Sequence, residues 1–172
     1  TCSASDNTST FIYGQPTVII NGLAGTYCTD DAIDIFTGSP ANGSFSTTAI
    51  PASLTDDGAG NGTFDPSVAG AAGSPYSISY YYSDPAGCDN TDVRVVNVNQ
   101  TPDVTISSSD ADNTICAGAS VIFTATDNEG VADTYEFFVN NVSVQGPGAA
   151  NTFTTTSLLN GETVTVKASV AA

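Results

Sequence analysis

The feature that most constrains this chain is the alternation of apolar and polar side chains in short runs that end at turn residues. The clearest run is YSISYYYS at 76–83, and another is VTVKASV at 164–170. A period of two is typical of half-buried β-strands, and turn signals recur about every 8 to 12 residues. A single short turn of helix is predicted over 66–72. The chain is therefore predicted to be all-β, built from antiparallel β-sandwiches.

Two local patterns predict details of the strands. Val93 and Val95 change phase to Val96 and Val98, which predicts either a β-bulge or a strand buried on both faces. The pair Asn140-Asn141 separates two apolar runs, so we expect a tight hairpin turn there.

An internal spacing of 86 residues divides the chain. Pro16 and Pro102 each open an extended run and are 86 positions apart, as are Cys2 and Cys88. Two modules of 86 residues account for all 172 residues. We therefore interpret the chain as a two-module repeat of a tandem array, with ends that fall inside modules rather than between them. Residues 1–15 are then the last strand of a preceding module, 16–102 a complete module, and 103–172 a module that lacks its last strand.

The four cysteines predict disulfides, because an even number in a chain of secreted type indicates a disulfide framework. Within the complete module the predicted pair is Cys28–Cys88, and a crosslink closing a loop of that size contributes roughly 4 kcal/mol in the chain-entropy model. Cys116 is then predicted to pair with Cys2 of a neighbouring copy. A Cys2–Cys116 pair inside one chain is the alternative.

The charge balance excludes several classes of function. Eighteen acidic residues stand against two basic ones, Arg94 and Lys167, which gives a formal net charge of −16. Nucleic acids and anionic membranes require a positive surface, so neither is an expected partner. The absence of histidine excludes His-based nucleophilic catalysis and His-ligated zinc. No apolar run approaches the roughly 18 residues of a membrane span.

Carboxylates are the only plentiful reactive groups, and their pattern does not predict an enzyme. Glycoside hydrolysis would need two carboxyl groups that face each other across a cleft. The adjacent pairs Asp30-Asp31 and Asp56-Asp57 lie in loops, where neighbouring side chains normally point apart. We therefore expect no catalytic residues.

The acidic turns are candidate calcium sites, because Ca²⁺ prefers several oxygen ligands from carboxylates, amides and turn carbonyls. The candidate ligands are Asp56, Asp57 and Asn61 in one loop, and Asp103, Asp110, Asp112 and Asn113 at the module junction. The alternative is that these residues are solvated turns without a metal. Calcium is the only cofactor that the sequence predicts.

The tyrosine run offers a candidate sugar-binding surface. The period of two places Tyr76, Tyr80 and Tyr82 on the core face of the strand. Tyr81 lies on the serine face and is the ring expected to be exposed, where it could stack on a sugar.

Several linked motifs resemble the Ig-like or PKD-like repeats of very large secreted surface proteins of the Bacteroidota. The motifs are YCTDDA at 27–32, GSPANGSFS at 38–46, GTFDP at 62–66, ISYYYSD at 78–84, GC at 87–88, SDADNTICAG at 109–118, YEFFVN at 135–140 and LLNG at 158–161. The resemblance implies tandem Ig-like modules in an extracellular adhesin, gliding filament or stalk at the bacterial surface. There is no tryptophan for the core, so Phe137 or Phe138 is expected to take that place.

This interpretation implies further copies or adjacent repeats as partners, with surface glycans as a second class. Residues 3–14, which contain Phe11, Ile12 and Tyr13, should form the last strand of the preceding module. The strand would be supplied covalently or by donor-strand exchange, and packing of 3–14 on the module at 16–102 would contradict this. Two other functions stay open: a carbohydrate-binding or adhesive module, and a passive spacer of a secreted enzyme.

Overall fold

The computed structural model describes residues 2–170, which form fourteen β-strands and very little helix. The all-β prediction is therefore confirmed. The first eight strands are β1 (Ile19–Asn21), β2 (Thr26–Cys28), β3 (Asp34–Ser39), β4 (Ser44–Thr47), β5 (Leu54–Asp56), β6 (Asn61–Phe64), β7 (Tyr76–Ser83) and β8 (Asp89–Asn99). A 3-10 turn (Pro51–Ser53) precedes β5, and the single helix α1 (Pro66–Ala69) falls inside the predicted 66–72.

These eight strands form two sheets, here called the first sandwich (19–99). One sheet has the order β1-β3-β6-β5, and the other has the order β2-β8-β7-β4. Every pair is antiparallel except β2 with β8, which run parallel with Tyr27 opposite Val98. The sheet that contains β3 and the sheet that contains β8 correspond to the two sheets of an immunoglobulin-type sandwich. The Ig-like part of the fold prediction is confirmed.

The core of the first sandwich is one cluster of thirteen buried apolar residues within the described range. Phe36, Tyr80 and Val96 in this cluster are at most 1% exposed. The rings of Phe36 and Phe45 meet edge to face with centroids 4.9 Å apart. Tyr76 is buried as well, so the alternation along β7 correctly predicted which tyrosines enter the core.

The buried tyrosine hydroxyls each find backbone partners, as a buried polar group must. The Tyr76 hydroxyl donates to the carbonyl of Ala69 at 2.8 Å. Tyr76 is the first residue of β7, and Ala69 lies in the connection from β6 to β7. This is the tyrosine corner of Ig-type sandwiches. The Tyr80 hydroxyl donates to the Pro40 carbonyl at 2.6 Å and accepts from the Gly43 N–H at 2.8 Å. Both rings therefore fix connections between strands as well as filling the core.

The predicted irregularity in β8 is wrong. β8 pairs with β7 in one unbroken register of eight residue pairs. Val96 and Val98 face the core, whereas Val93 and Val95 are exposed on the outer face. The apparent change of phase arises because this strand carries valines on its solvent face, so neither a bulge nor burial on both faces is needed.

Six further strands form the second sandwich (104–169). They are β9 (Val104–Ser108), β10 (Val121–Asp127), β11 (Thr134–Val139), β12 (Val142–Gly148), β13 (Thr152–Thr155) and β14 (Val164–Ser169). Their sheets have the orders β13-β10-β9 and β12-β11-β14. Asn140 and Asn141 both have positive φ and join β11 to β12, so the predicted tight hairpin is confirmed.

The core of the second sandwich is thin. Only Val121, Ala125 and Phe137 are buried apolar residues among those described there. Phe137 is fully buried and stacks on Phe153 with centroids 5.8 Å apart, so it takes the central place that was predicted for Phe137 or Phe138. The sandwich is therefore held by a small aromatic centre and leaves much of its inner surface uncovered.

The close approach of the Tyr80 ring to β3 gives a first prediction. A Cβ atom at Gly38 would lie 2.2 Å from that ring, so Gly38→Ala forces the core apart. We expect a loss of about 1–3 kcal/mol or more in the unfolding free energy of the first sandwich. Gly25→Ala is the matched control, because a methyl group added there would meet no atom within 4 Å beyond its own chain neighbours.

Urea unfolding followed by tyrosine fluorescence measures this loss, since five of the seven tyrosines lie in the first sandwich. Equal midpoints for the two glycine variants would show that the ring does not pack against β3 as described.

Candidate functional site

The N-terminal segment (residues 3–14) is exposed along its whole length. No strand is assigned to residues 2–18, and every residue from 2 to 15 is exposed. Phe11, Ile12 and Tyr13 are 78%, 93% and 61% exposed. Among the hydrogen bonds of the described residues, one joins the segment to the first sandwich: the Cys88 thiol donates to the Tyr13 carbonyl, with the two atoms 3.8 Å apart. Packing of 3–14 on the first sandwich, the outcome that would contradict the inter-unit strand, is not observed.

The second sandwich has an open edge at β14. Within residues 2–170, β14 pairs with β11 on one side and with no strand on the other. A groove of about 870 Å³, called the open groove, lies at the start of β14, where Val164 lines it. Its walls are β9, residues 110–117 and residues 158–164, with apolar lining from Ile106, Val121, Phe123, Leu158 and Val164.

The first sandwich shows which element occupies this place when it is filled. There β8 pairs with β7 on one side and β2 on the other, and inserts Val96 and Val98 into the core. An Asp92 carboxylate oxygen on β8 also accepts the N–H of Ile20 on β1, at 2.8 Å. In the second sandwich β9 lies beside β14 instead, with no strand between them among the described residues.

The exposed surface of equivalent residues differs accordingly. β7 and β14 end at Ser83 and Ser169, which are 86 positions apart, so Ile78 corresponds to Val164. Ile78 is completely buried, whereas Val164 is only half-buried. Ile20 is 6% exposed and its counterpart Ile106 is 37% exposed. The second sandwich therefore presents apolar surface where the first one has β8.

The structure does not bring the predicted cysteine pair together. Cys28 lies opposite Asn99 at one end of β8, and Cys88 precedes Asp89 at the other end. Eleven residues of strand separate these ends by about 33 Å, whereas bridged cysteines have Cα atoms within about 7 Å. All four cysteines are free thiols. The Cys28–Cys88 disulfide is incompatible with this fold, and the alternative Cys2–Cys116 bridge is not formed.

The first candidate calcium loop uses its oxygens for its own turn. Asp57 accepts the N–H groups of Ala59 and Asn61 at 2.8 and 2.9 Å, and the Asn61 side-chain amide at 2.5 Å. These bonds, led by the side-chain amide of Asn61, hold the pKa of Asp57 below its ordinary value. Asp56 accepts the N–H of Gly58. The loop is thus held by hydrogen bonds among its own groups.

The second set of candidate ligands is divided between two places. Asp103 binds Asn128 through its carboxylate at 3.0 Å. Asp110 and Asp112 instead both accept the N–H of Thr114, at 3.0 and 2.9 Å. Asn113, between them, has a positive φ that shapes this turn. Calcium binding at either set remains a prediction.

A different group is the one cluster of potential metal-ligating side chains among residues 2–170. It consists of Cys28, Asp30 and Asp31. Burial, together with the neighbouring charges of Asp31 and Asp30, raises the pKa of the Cys28 thiol, which disfavours the thiolate. Asp31 accepts the Cys28 N–H at 2.7 Å and Asp30 accepts the hydroxyl of Thr101. Asp31 therefore holds the local turn, and Asp30 binds the junction residue Thr101.

Tyr81 is exposed, as predicted, at 45%. Its cross-strand neighbours on β4 and β8 are Ser44 and Thr91. A sugar platform normally combines ring faces, and this ring has small polar neighbours instead. Tyr82, on the opposite face, packs against the core cluster.

The junction between the two sandwiches is short and anchored at both ends. The Thr101 N–H donates to the Thr29 hydroxyl at 3.0 Å, which ties it to the first sandwich. The Asp103 carbonyl accepts the N–H of Asn128 at 2.8 Å, which ties it to the second. Only Pro102 lies between these two anchored residues, and its ring fixes φ.

Asp127 holds the turn that follows β10. Its carboxylate accepts the N–H groups of Ala132 and Val131 at 2.6 and 2.5 Å, and that of Glu129 at 3.2 Å. These bonds, with that of Ala132 the strongest, hold the pKa of Asp127 below its ordinary value. The folded turn therefore stabilises the charged form of the Asp127 carboxyl group.

This preference predicts an acid-dependent loss of stability in the second sandwich. Because the folded pKa is depressed, the stabilisation is present above about pH 4, the unfolded value, and is lost as pH falls through the folded pKa. An NMR titration should show the Val131 and Ala132 amide protons shifting with a midpoint below about pH 4. Asp127→Asn should abolish both shifts, while Glu129→Gln should leave them. Shifts that persist in Asp127→Asn would assign the titration to another group.

Comparisons with known proteins give similarity at low identity. No protein-family model and no curated protein match the chain. Among solved structures, the fibronectin(III)-like modules of Clostridium thermocellum CbhA match with a TM-score of 0.49 and 15% identity, over 88% of this chain and 85% of theirs. A Ca²⁺-stabilised adhesin with which an Antarctic bacterium binds ice matches with a TM-score of 0.37 and 17% identity, over 81% of this chain and 40% of that one.

The fold assignment therefore depends on the observed sheet order.

Among the helices described in residues 2–170, none is long and apolar enough to cross a membrane.

Proposed function

We propose that the chain is a structural repeat unit of an extracellular bacterial surface filament or adhesin. Its modules are residues 16–102, which are complete, and residues 103–172, whose last strand comes from the next unit. Residues 1–15 supply that strand to the preceding unit. The partners are further copies or adjacent repeats, as the resemblance to the Bacteroidota surface repeats implies.

One observation carries the proposal: β14 of the second sandwich has no neighbour on the side where β7 has β8, and the chain contains an unpaired segment with the spacing of β8. β8 closes the first sandwich, and β14 of the second has an open edge. The N-terminal segment is exposed and lies between Cys2 and Pro16, just as β8 lies between Cys88 and Pro102. Both intervals are fourteen positions long.

The role of such a unit is mechanical. Tension along the array passes through the short junction at Pro102, whose neighbours Thr101 and Asp103 are hydrogen-bonded to separate sandwiches. Each sandwich resists this tension because its strands can separate only by shear, which must break many backbone hydrogen bonds together. The net charge of −16 keeps such a long acidic surface from associating with itself at random.

The proposal predicts filaments in electron micrographs of the purified protein. The longest strand, β8, has eleven residues and is about 36 Å long at about 3.3 Å per residue. Two modules end to end should therefore give an axial repeat of about 70 Å. Isolated two-lobed particles at every concentration, including millimolar protein, would count against joining of units through their ends.

A further inference from the structure

We propose that residues 3–13 of a second copy of this chain bind along the open edge of β14 and into the open groove, antiparallel to β14 and in the register that β8 has with β7, with β9 moving away from β14 to admit them. This inference rests on the proposed function and adds to it the binding site, the partner segment and the face that enters the core. Two matches between the segment and β8, and one between residues 114–116 and β2, support it.

The first match is the position of an acidic residue. Asp6 follows Cys2 by four positions, and Asp92 follows Cys88 by four. In the first sandwich Asp92 accepts the N–H of Ile20 on β1. The residue corresponding to Ile20 in β9 is Ile106, which is 37% exposed. Asp6 of the second copy is therefore placed to accept the N–H of Ile106.

The backbone of β9 is oriented for this bond. Ala125 is the residue opposite Ile106 in β10. Its N–H donates to Asn151 at 2.8 Å, and its carbonyl accepts from the Asn151 side chain at 3.0 Å, both on the side away from β9. In an antiparallel pair, residues opposite one another direct their backbone groups the same way, either both inward or both outward. The Ile106 N–H consequently points away from β10, towards the open side of the sandwich.

The second match is the pattern of inward-facing positions. Val96 and Val98 on β8 are buried, and the spacing of 86 makes Ile12 the apolar counterpart of Val98, whereas Thr10 takes the place of Val96. Ile12 is 93% exposed in the free segment, so it would lose the most apolar surface on binding. Phe11 corresponds to Asn97, which is exposed on the outer face of β8.

The third match concerns the other side of the bound strand. In the first sandwich β2 runs parallel to the end of β8, with Cys28 opposite Asn99. Aligning Cys116 with Cys28 makes residues 114–116 the counterpart of β2. They line the open groove and have no strand assignment. Binding should therefore order 114–116 as a short parallel strand beside residues 11–13 of the second copy.

The register also determines where the thiols lie. Cys2 of the second copy would lie near Ser169, at the end of β14. This end corresponds to the end of β7 at Ser83, which pairs with Asp89 next to Cys88. Cys116 lines the open groove and, as the counterpart of Cys28, would lie opposite residue 13 of the second copy, eleven positions along the bound strand from its Cys2. The predicted disulfide between Cys116 and Cys2 of a neighbouring copy is incompatible with this register, so assembly should survive reducing agents.

The decisive experiment compares Ile12→Asn with Phe11→Asn in the full chain. Both side chains are exposed in the free segment, so neither change can unfold a sandwich. Sedimentation velocity should show concentration-dependent association of the wild type and of Phe11→Asn, in the presence or absence of dithiothreitol. Ile12→Asn should weaken association about tenfold or more, because it places a polar side chain in the core. Equal behaviour of the two variants would overturn the register.

A synthetic peptide of residues 2–16 tests the site without assembly. Added to the full chain, it should slow amide hydrogen exchange at Ile106, at 114–116 and along β14, and the same peptide with Ile12→Asn should not. Filaments that persist in Ile12→Asn would leave the proposed array standing and overturn this strand docking. Protection by the peptide without any filaments would support the docking and count against the array. Absence of protection would overturn the docking.

Discussion

The architecture of this chain depends on one strand position, the one that β8 fills in the first sandwich. β8 satisfies backbone groups of β7 on one side and β2 on the other. It also buries Val96 and Val98 and joins the two sheets through Asp92. Where the same position has no strand, in the second sandwich as described, the inner residues Ile106 and Val164 are left partly exposed. Among the described residues, β7 therefore has a strand on each side, whereas β14 has a strand on one side only.

Much of this architecture could be predicted from the sequence because burial on one face of a strand imposes a period of two. The alternation of tyrosine with serine in β7 correctly identified Tyr76 and Tyr80 as core residues, and Tyr81 as exposed. The Asn140-Asn141 turn was predictable because asparagine tolerates positive φ. The spacing of 86 carried information on strand equivalence, since β7 and β14 end one period apart.

Predictions that needed three-dimensional position fared less well. Spacing along the chain cannot say at which end of a strand a cysteine lies, and Cys28 and Cys88 lie at opposite ends of β8. Of the acidic residues predicted as calcium ligands, Asp57 and Asp110 accept backbone N–H groups of their own loops, a role that the sequence pattern did not indicate, and calcium binding there stays a prediction. The open groove was missed as a site, although the missing last strand was predicted, because its walls come from segments far apart in the sequence.

An exposed strand edge is a hazard as well as a binding site, because any extended chain can pair with it. Charge gives this protein a means to select one strand over other extended chains at this edge. With a net charge of −16, most of its surface repels other copies, and the open groove lies within that acidic field. The N-terminal segment carries a single acidic residue, Asp6, between residues 3 and 14. In the proposed register that one carboxylate meets the Ile106 N–H, so the segment able to fill the edge is also the one whose charge has a partner there.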